Sequence, residues 1–295
     1  MARSLGFDTV INHTRDAMWR VDDLIAVLAI GTSLISNQSK LAEDLEIFSS
    51  SEFNFVDLDD GYSRSSVLMP QKRNPYALSI VRGASGVLIG RLTGFLAVTK
   101  SPSARSDNFI FAYGEVPRAL DLALRVTALM SGVVRTLQVN PDRMREELMK
   151  GYAQSTDLAE HLTQIRGVDY RTAYFVVGDV VRDASRAGIA GRDLTADMIN
   201  QAARARTGDS WDLLDADLQA VLDPAQIVAS RQVQGGAAGE PVEDMLQATT
   251  ADAAAVAKAS AARLNDFAAA EEDLVRRAQA VVAGGPDPGP TDRAP

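Results

Sequence analysis

SRSSVLMPQKRNPYALSIVRGASGVLIGRLTGFLAVTK, residues 63–100, joins two unlike pieces of chain. Residues 63–75 are loop chemistry: hydroxyls, the basic pair Lys72 and Arg73, an amide and two prolines around Val67, Leu68 and Met69. Residues 76–100 read as a long helix. Asn74-Pro75 is its expected start, because Asn can cap a helix and Pro suits the first turn. Gly83, Gly86, Gly90 and Gly94 recur along it at three- and four-residue steps. Such glycines weaken a lone helix but let neighbouring helices approach closely, so this helix is expected at the centre of a bundle.

Working outward, Asp22 to Phe48 also reads as a long helix. Leu34, Gln38, Leu41, Leu45 and Phe48 fall at alternating four- and three-residue steps, the spacing of a seam buried against other helices. Serines, aspartates and a glycine then make 49–66 a loop. Beyond the central helix, SPSARSDNF is a loop ahead of a third long helix over roughly 114–137, and VNPDRM reads as a boundary. The fold class is all-α. A long-helix bundle occupies 1–139, a smaller helical C-terminal domain 140–245, a terminal helix 246–283, and a disordered tail 284–295. No alternating strand and no internal repeat stands out. Three long helices with wide apolar faces leave the bundle incomplete, so other chains are expected to complete it.

Composition sets limits on chemistry. The chain has 295 residues, 46% hydrophobic and 23% charged, as in an ordinary globular protein. It has no cysteine, which removes disulfides, thiolate nucleophiles and Cys-ligated zinc. His13 and His161 are its only histidines and lie far apart in sequence, so no metal site is expected. A net charge of −9 argues against a nucleic-acid partner. There is no uninterrupted apolar run of membrane-spanning length and no apolar signal core, so the expected location is cytoplasmic.

The loop at 63–75 feeds a helix N-terminus, where unpaired N–H groups and a partial positive charge favour an anion. Lys72 and Arg73 add full charges, and Asn74 adds an amide that donates and accepts. The Ser66 hydroxyl could act as a base only where a positive field lowers its pKa. Such a site would bind a carboxylate or phosphate and take a proton beside it. On residues alone, a plain surface loop feeding a capped helix remains an open reading.

SSVLMPQKRNP resembles the signature loop of the fumarase/aspartase superfamily, Gly-Ser-Ser-x-Met-Pro-x-Lys-x-Asn-Pro, and its Met-Pro-Gln-Lys form resembles the argininosuccinate lyase branch. KLAEDLEIFSSSEFNFVDL at 40–58, STDLAEHL with RGVDYRTAYFVVG at 155–178, and DPAQIVASRQVQGG at 223–236 are similar to the same branch. The resemblance implies β-elimination. Ser66 would take the proton next to a carboxylate, Lys72 and Asn74 would hold the carboxylate and the anion formed, and Met69 would shape the loop. The released product would be fumarate or an analogue, with no cofactor. The resemblance also implies a tetrameric bundle core whose active sites are shared between subunits.

Four departures qualify that implication. Relatives of this branch carry a long segment ahead of the Leu5-Gly6-Phe7 stretch, so the expectation is a split lyase in which a separate chain supplies that segment. Ser65 and Val67 replace the usual glycine and second serine of the loop. Ser79 stands where the branch has a glutamate paired to a catalytic histidine. Arg105 stands near the position of a substrate-gripping tyrosine, and His13 where an asparagine is usual; both are candidate substrate contacts. The expected substrate is therefore an N-substituted aspartate or related dicarboxylate other than argininosuccinate. The rival expectation is a non-catalytic scaffold that stabilises an active homologue. Asp16 and Asp22 are expected to cap or pair at helix starts, Arg82 to brace the loop or bundle, Ser155 and Thr156 to cap a helix, and His161 to lie at the surface.

Overall fold

The computed structural model describes residues 2–100 and 106–290. The chain forms two compact units, one spanning Ile11–Glu146 and the other holding Glu147 onward with the first ten residues. The fold is all-α, with only two-residue strands beside the helices among the described residues.

In the first unit, α1 (Thr14–Trp19) precedes α2 (Asp22–Phe48). After β1 (Val56–Asp57), β2 (Arg64–Ser65) and β3 (Arg73–Asn74) come α3 (Tyr76–Thr99), α4 (Ile110–Tyr113) and α5 (Glu115–Thr136). The chain then passes through β4 (Gln138–Val139) into α6 (Pro141–Lys150). Asp16 lies in the first turn of α1, and Asp22 in that of α2, 3.9 Å from Arg20. The core is the shared interior of α2, α3 and α5. Leu28, Thr32, Ile35, Ala42 and Leu45 recur at heptad-like steps on α2, facing Leu78, Val81 and Leu88 of α3 and Val126, Met130 and Val133 of α5. A half-buried hydrogen bond, Gln38 Nε2 to Thr127 Oγ1 at 3.0 Å, ties α2 to α5.

Two expectations about this unit are corrected. Leu34 and Leu41 are exposed, so the seam through Leu34, Gln38 and Leu41 is not the buried one. α2 carries two apolar stripes, and the Leu28–Leu45 stripe takes the interior. Gly83, Gly86, Gly90 and Gly94 meet no neighbour: a Cβ added at any of them would find open space. The close approach those glycines permit is not made among the described residues of this chain. By length and composition alone α2 and α3 each reach the size of a membrane span, although neither is an uninterrupted apolar run.

The second unit continues with α7 (Ser155–Arg166), α8 (Tyr170–Ala187), α9 (Ala196–Thr207), α10 (Asp215–Leu222), α11 (Pro224–Ser230) and α12 (Gly239–Val282). Its core gathers Leu158 and Leu162 of α7, Val176 and Val180 of α8, Ile199 of α9, Trp211 and Leu218. α8 and α9 end on left-handed Gly188 and Gly208 (φ 70° and 88°), where a side chain would be strained. Ser155 and Thr156 lie inside the first turn of α7, and the Ser155 hydroxyl donates backward to the Tyr152 carbonyl at 2.6 Å, so neither is the cap. His161 is half-buried on α7.

α12 begins at Gly239, earlier than expected, because Pro241 falls in its first turn, where no intrahelical donor is lost. The N-terminal residues pack on this helix, with Phe7 edge-on to Phe267 at 6.1 Å and Asp8 paired with Arg263 at 3.1 Å. Arg277 pairs with Asp287 at 2.5 Å, and that guanidinium, with the Gly289 N–H, holds the Asp287 carboxyl down at about 2. Residues 291–295 of the expected tail lie outside the described residues.

Candidate active site

Residues 63–75 form a hairpin rather than a free loop. β2 and β3 pair antiparallel, Arg64 opposite Asn74 and Ser65 opposite Arg73. The Ser66 N–H extends the ladder to the Lys72 carbonyl at 3.2 Å, and the Lys72 N–H returns to the Met69 carbonyl at 3.0 Å. Arg73 anchors the base through Asp57 at 3.1 Å, Asp60 at 2.8 Å and the Leu58 carbonyl at 2.6 Å. The tip is apolar and open, with Val67 96% and Leu68 89% exposed. Asn74 donates to the Arg64 carbonyl at 3.3 Å and lies in β3, while Pro75 is the cap residue of α3. Asn74 is therefore not the helix cap: its side chain is used across the hairpin instead.

Within the tip the half-buried Ser66 hydroxyl oxygen accepts two backbone N–H groups, from Leu68 at 3.2 Å and Met69 at 3.1 Å. Two donors aimed at one oxygen favour negative charge there, the condition a serine needs to act as a base. Among the described residues Lys72 has no ion-pair partner, whereas Arg73 is fully engaged. Charge for an incoming carboxylate therefore rests on Lys72.

A cavity of about 600 Å³ opens between the hairpin and the C-terminal end of α2, with Glu46, Ser50, Glu52, Asp57, Met69 and Lys72 among its walls. The volume is that of a small-molecule site. Behind this wall Ser79 donates to Glu46 at 2.6 Å, and the Arg82 guanidinium donates to the other Glu46 oxygen. Arg82 also reaches Glu43 at 3.2 Å, so it ties α3 to α2. The hydrogen bond to Glu46 holds the Arg82 guanidinium above its ordinary value, and the charges of Glu46 and Glu43 add to it.

The hairpin thus brings together Ser66, Met69, Lys72 and Asn74. His13 is placed otherwise: its Nδ1 accepts the Asp16 N–H at 3.3 Å and caps α1. Arg105 lies outside the described residues. Sequence reasoning does not reach Glu43 and Glu46. Their three-residue spacing on one face of α2 is the available signal, but only the fold shows that this face meets Ser79 and Arg82.

Residues 1–90 match the lyase family, and residues 152–229 match the argininosuccinate lyase C-terminal family. The argininosuccinate lyase of Methanosarcina acetivorans is 30% identical over 240 residues, 81% of this chain and 48% of that protein. That of Herpetosiphon aurantiacus is 36% identical over 247 residues, 83% of this chain and 52% of the relative. A solved EDDS lyase variant with bound fumarate aligns at a TM-score of 0.87 and 28% identity, over 95% of this chain and 56% of that one. The chain belongs to the fumarase/aspartase superfamily, in its argininosuccinate lyase branch. It spans about half the length of the curated relatives it matches.

Proposed function

We propose that this chain supplies the base-bearing loop of a lyase that cleaves a C–N bond in an N-substituted aspartate or related dicarboxylate, releasing fumarate or a close analogue. The observation that carries this reading is the Ser66 oxygen, held by two backbone N–H groups in the same hairpin as Lys72, which has no ion-pair partner among the described residues. Ser66 takes a proton from the carbon next to one carboxylate. Lys72 and the free N–H of the Asn74 amide meet the charge that builds on that carboxylate. The electrons of the broken C–H bond form the new double bond, and the C–N pair leaves with the nitrogen. Met69 shapes the cavity wall. His13 keeps Nε2 for a substrate oxygen, and Arg105 enters as a substrate contact on the resemblance alone.

The working enzyme in this reading is an assembly. The open apolar faces of α2, α3 and α5 and the open glycine face of α3 support it. Further copies of this chain, together with a chain resembling the other half of the relatives, cover these faces on a tetrameric bundle core in the cytoplasm. No nucleic acid or membrane takes part.

The test is Ser66→Ala in the assembled enzyme, followed by fumarate release. The rate is expected to fall by about 10²–10⁴ at unchanged native mass, the range for losing a general base. A variant assembly with the wild-type rate would make this chain a scaffold for an active homologue.

A further inference from the structure

We propose that Glu46 is a specificity-determining residue that accepts the ammonium nitrogen of an aspartate-type substrate in the hairpin cavity. The inference rests on the elimination reading above and adds a recognition element to it. The Glu46 side chain is 17% exposed yet stands on the cavity wall. Both of its donors come from α3: Ser79 on one oxygen at 2.6 Å, Arg82 on the other. Neither donor lines the cavity, so they fix the carboxylate from behind. A carboxylate oxygen has two acceptor positions, and each Glu46 oxygen uses one. One position on each remains for a ligand.

Charge points the same way. Arg82 is shared by Glu43 and Glu46, one positive charge between two negative ones, so the cluster keeps a net negative charge. From the hairpin side Lys72 brings a cation without an ion pair among the described residues. A cavity that offers a free cation and a residual anion suits a small zwitterion. In an aspartate-type molecule a carboxylate and an ammonium nitrogen sit on neighbouring carbons, one charge of each sign for the two walls.

The elimination also gives the contact a chemical use. A carboxylate beside the nitrogen favours its protonated form. A nitrogen that enters as ammonium leaves as a neutral amine with the C–N electron pair. The only proton transferred in the step is the one taken by Ser66, and no separate acid has to protonate the leaving group.

The test measures binding of aspartate and of succinate, the same dicarboxylate without the nitrogen, to the assembled enzyme by calorimetry at pH 7. Glu46→Gln keeps the shape and the Ser79 contact. It is expected to weaken aspartate by tenfold or more, the scale of a lost charge-assisted hydrogen bond, and succinate by less than twofold. Glu43→Gln, which removes the other partner of Arg82 outside the cavity, is expected to leave the aspartate-to-succinate ratio within twofold. Equal weakening of both ligands by Glu46→Gln, an unchanged ratio, or a wild type that binds neither ligand would overturn the proposal. If wild type binds both, loses aspartate selectively in Glu46→Gln and still releases no fumarate, the recognition site stands and the lyase reading fails.

Discussion

The two units close their cores to different extents. In the second, α7–α10 surround Leu162, Val176 and Ile199 completely, and Arg206 lies 4.9 Å above Phe175, while α12, outside that core, leaves Leu246, Val256 and Leu264 exposed. In the first, one face of α2, α3 and α5 is packed as tightly, but the other leaves Ile30 69% and Leu124 72% exposed. Single exposed apolar residues are ordinary; a second stripe along three adjacent helices is not. The difference shows that one sequence can encode a self-sufficient core and a half-finished one. It is the half-finished unit that carries the hairpin.

The largest effect that probes this contrast lies in the closed core. Leu162→Ala removes a fully buried side chain and is expected to cost about 2–5 kcal/mol. Ile30→Ala on the open stripe of α2 should stay within about 0.5 kcal/mol in the isolated chain. Urea unfolding read by Trp211, in the second core, and Trp19, in the first unit, compares the two. A large cost at Ile30 in the isolated chain would mean that this face is covered without any partner.

The next effect is on assembly. Leu124→Asp places a charge on the open face of α5 and should scarcely change the folding of the isolated chain. Where that face is buried by other helices, an unpaired carboxylate is costly, and the dissociation constant of the complex is expected to rise at least tenfold. Native mass across a dilution series reads this directly. An unchanged dissociation constant would take α5 out of the interface.

The same contrast explains what can be read from sequence. The long helices are legible because apolar periodicity and turn chemistry agree over many residues, and the Asn74-Pro75 boundary lies within one residue of the true start of α3. Which stripe of α2 is buried is not legible, since Leu34–Leu41 and Leu28–Leu45 have equivalent spacing and only the neighbours decide between them. The hairpin is hidden because two-residue ladders are too short to show a period of two. Ser66, Lys72 and Asn74 are legible through motif chemistry, but the two N–H donors on Ser66 come from a backbone turn that no residue type announces. Glu46 escapes because its partners lie 33 and 36 positions away on another helix.

The smallest effect is electrostatic and tests how the closed unit holds its main helix. Asp169 caps α8: it accepts the Thr172 hydroxyl at 2.6 Å and the Thr172 N–H at 3.0 Å, and these two bonds, the hydroxyl first, hold its carboxyl below the usual range. Asp179, farther along α8, is lowered as well, chiefly by its hydrogen bond to Arg206. A carboxyl whose folded pKa is depressed contributes stability that is fully present above the unfolded value, about 3.9 for aspartate. That contribution is lost as pH falls through the lower folded value, because the unfolded chain then binds the proton more readily. Asp169→Ala should therefore lower the urea midpoint of the second unit at pH 7, and the wild-type advantage should shrink as the pH is taken below about 4. Among the described residues, the long helices α2, α3 and α5 carry no carboxylate cap of this kind, so the Trp19 signal should show no matching difference between variant and wild type. An advantage that persisted undiminished into acid would assign the stabilising role of Asp169 to packing rather than to its charge.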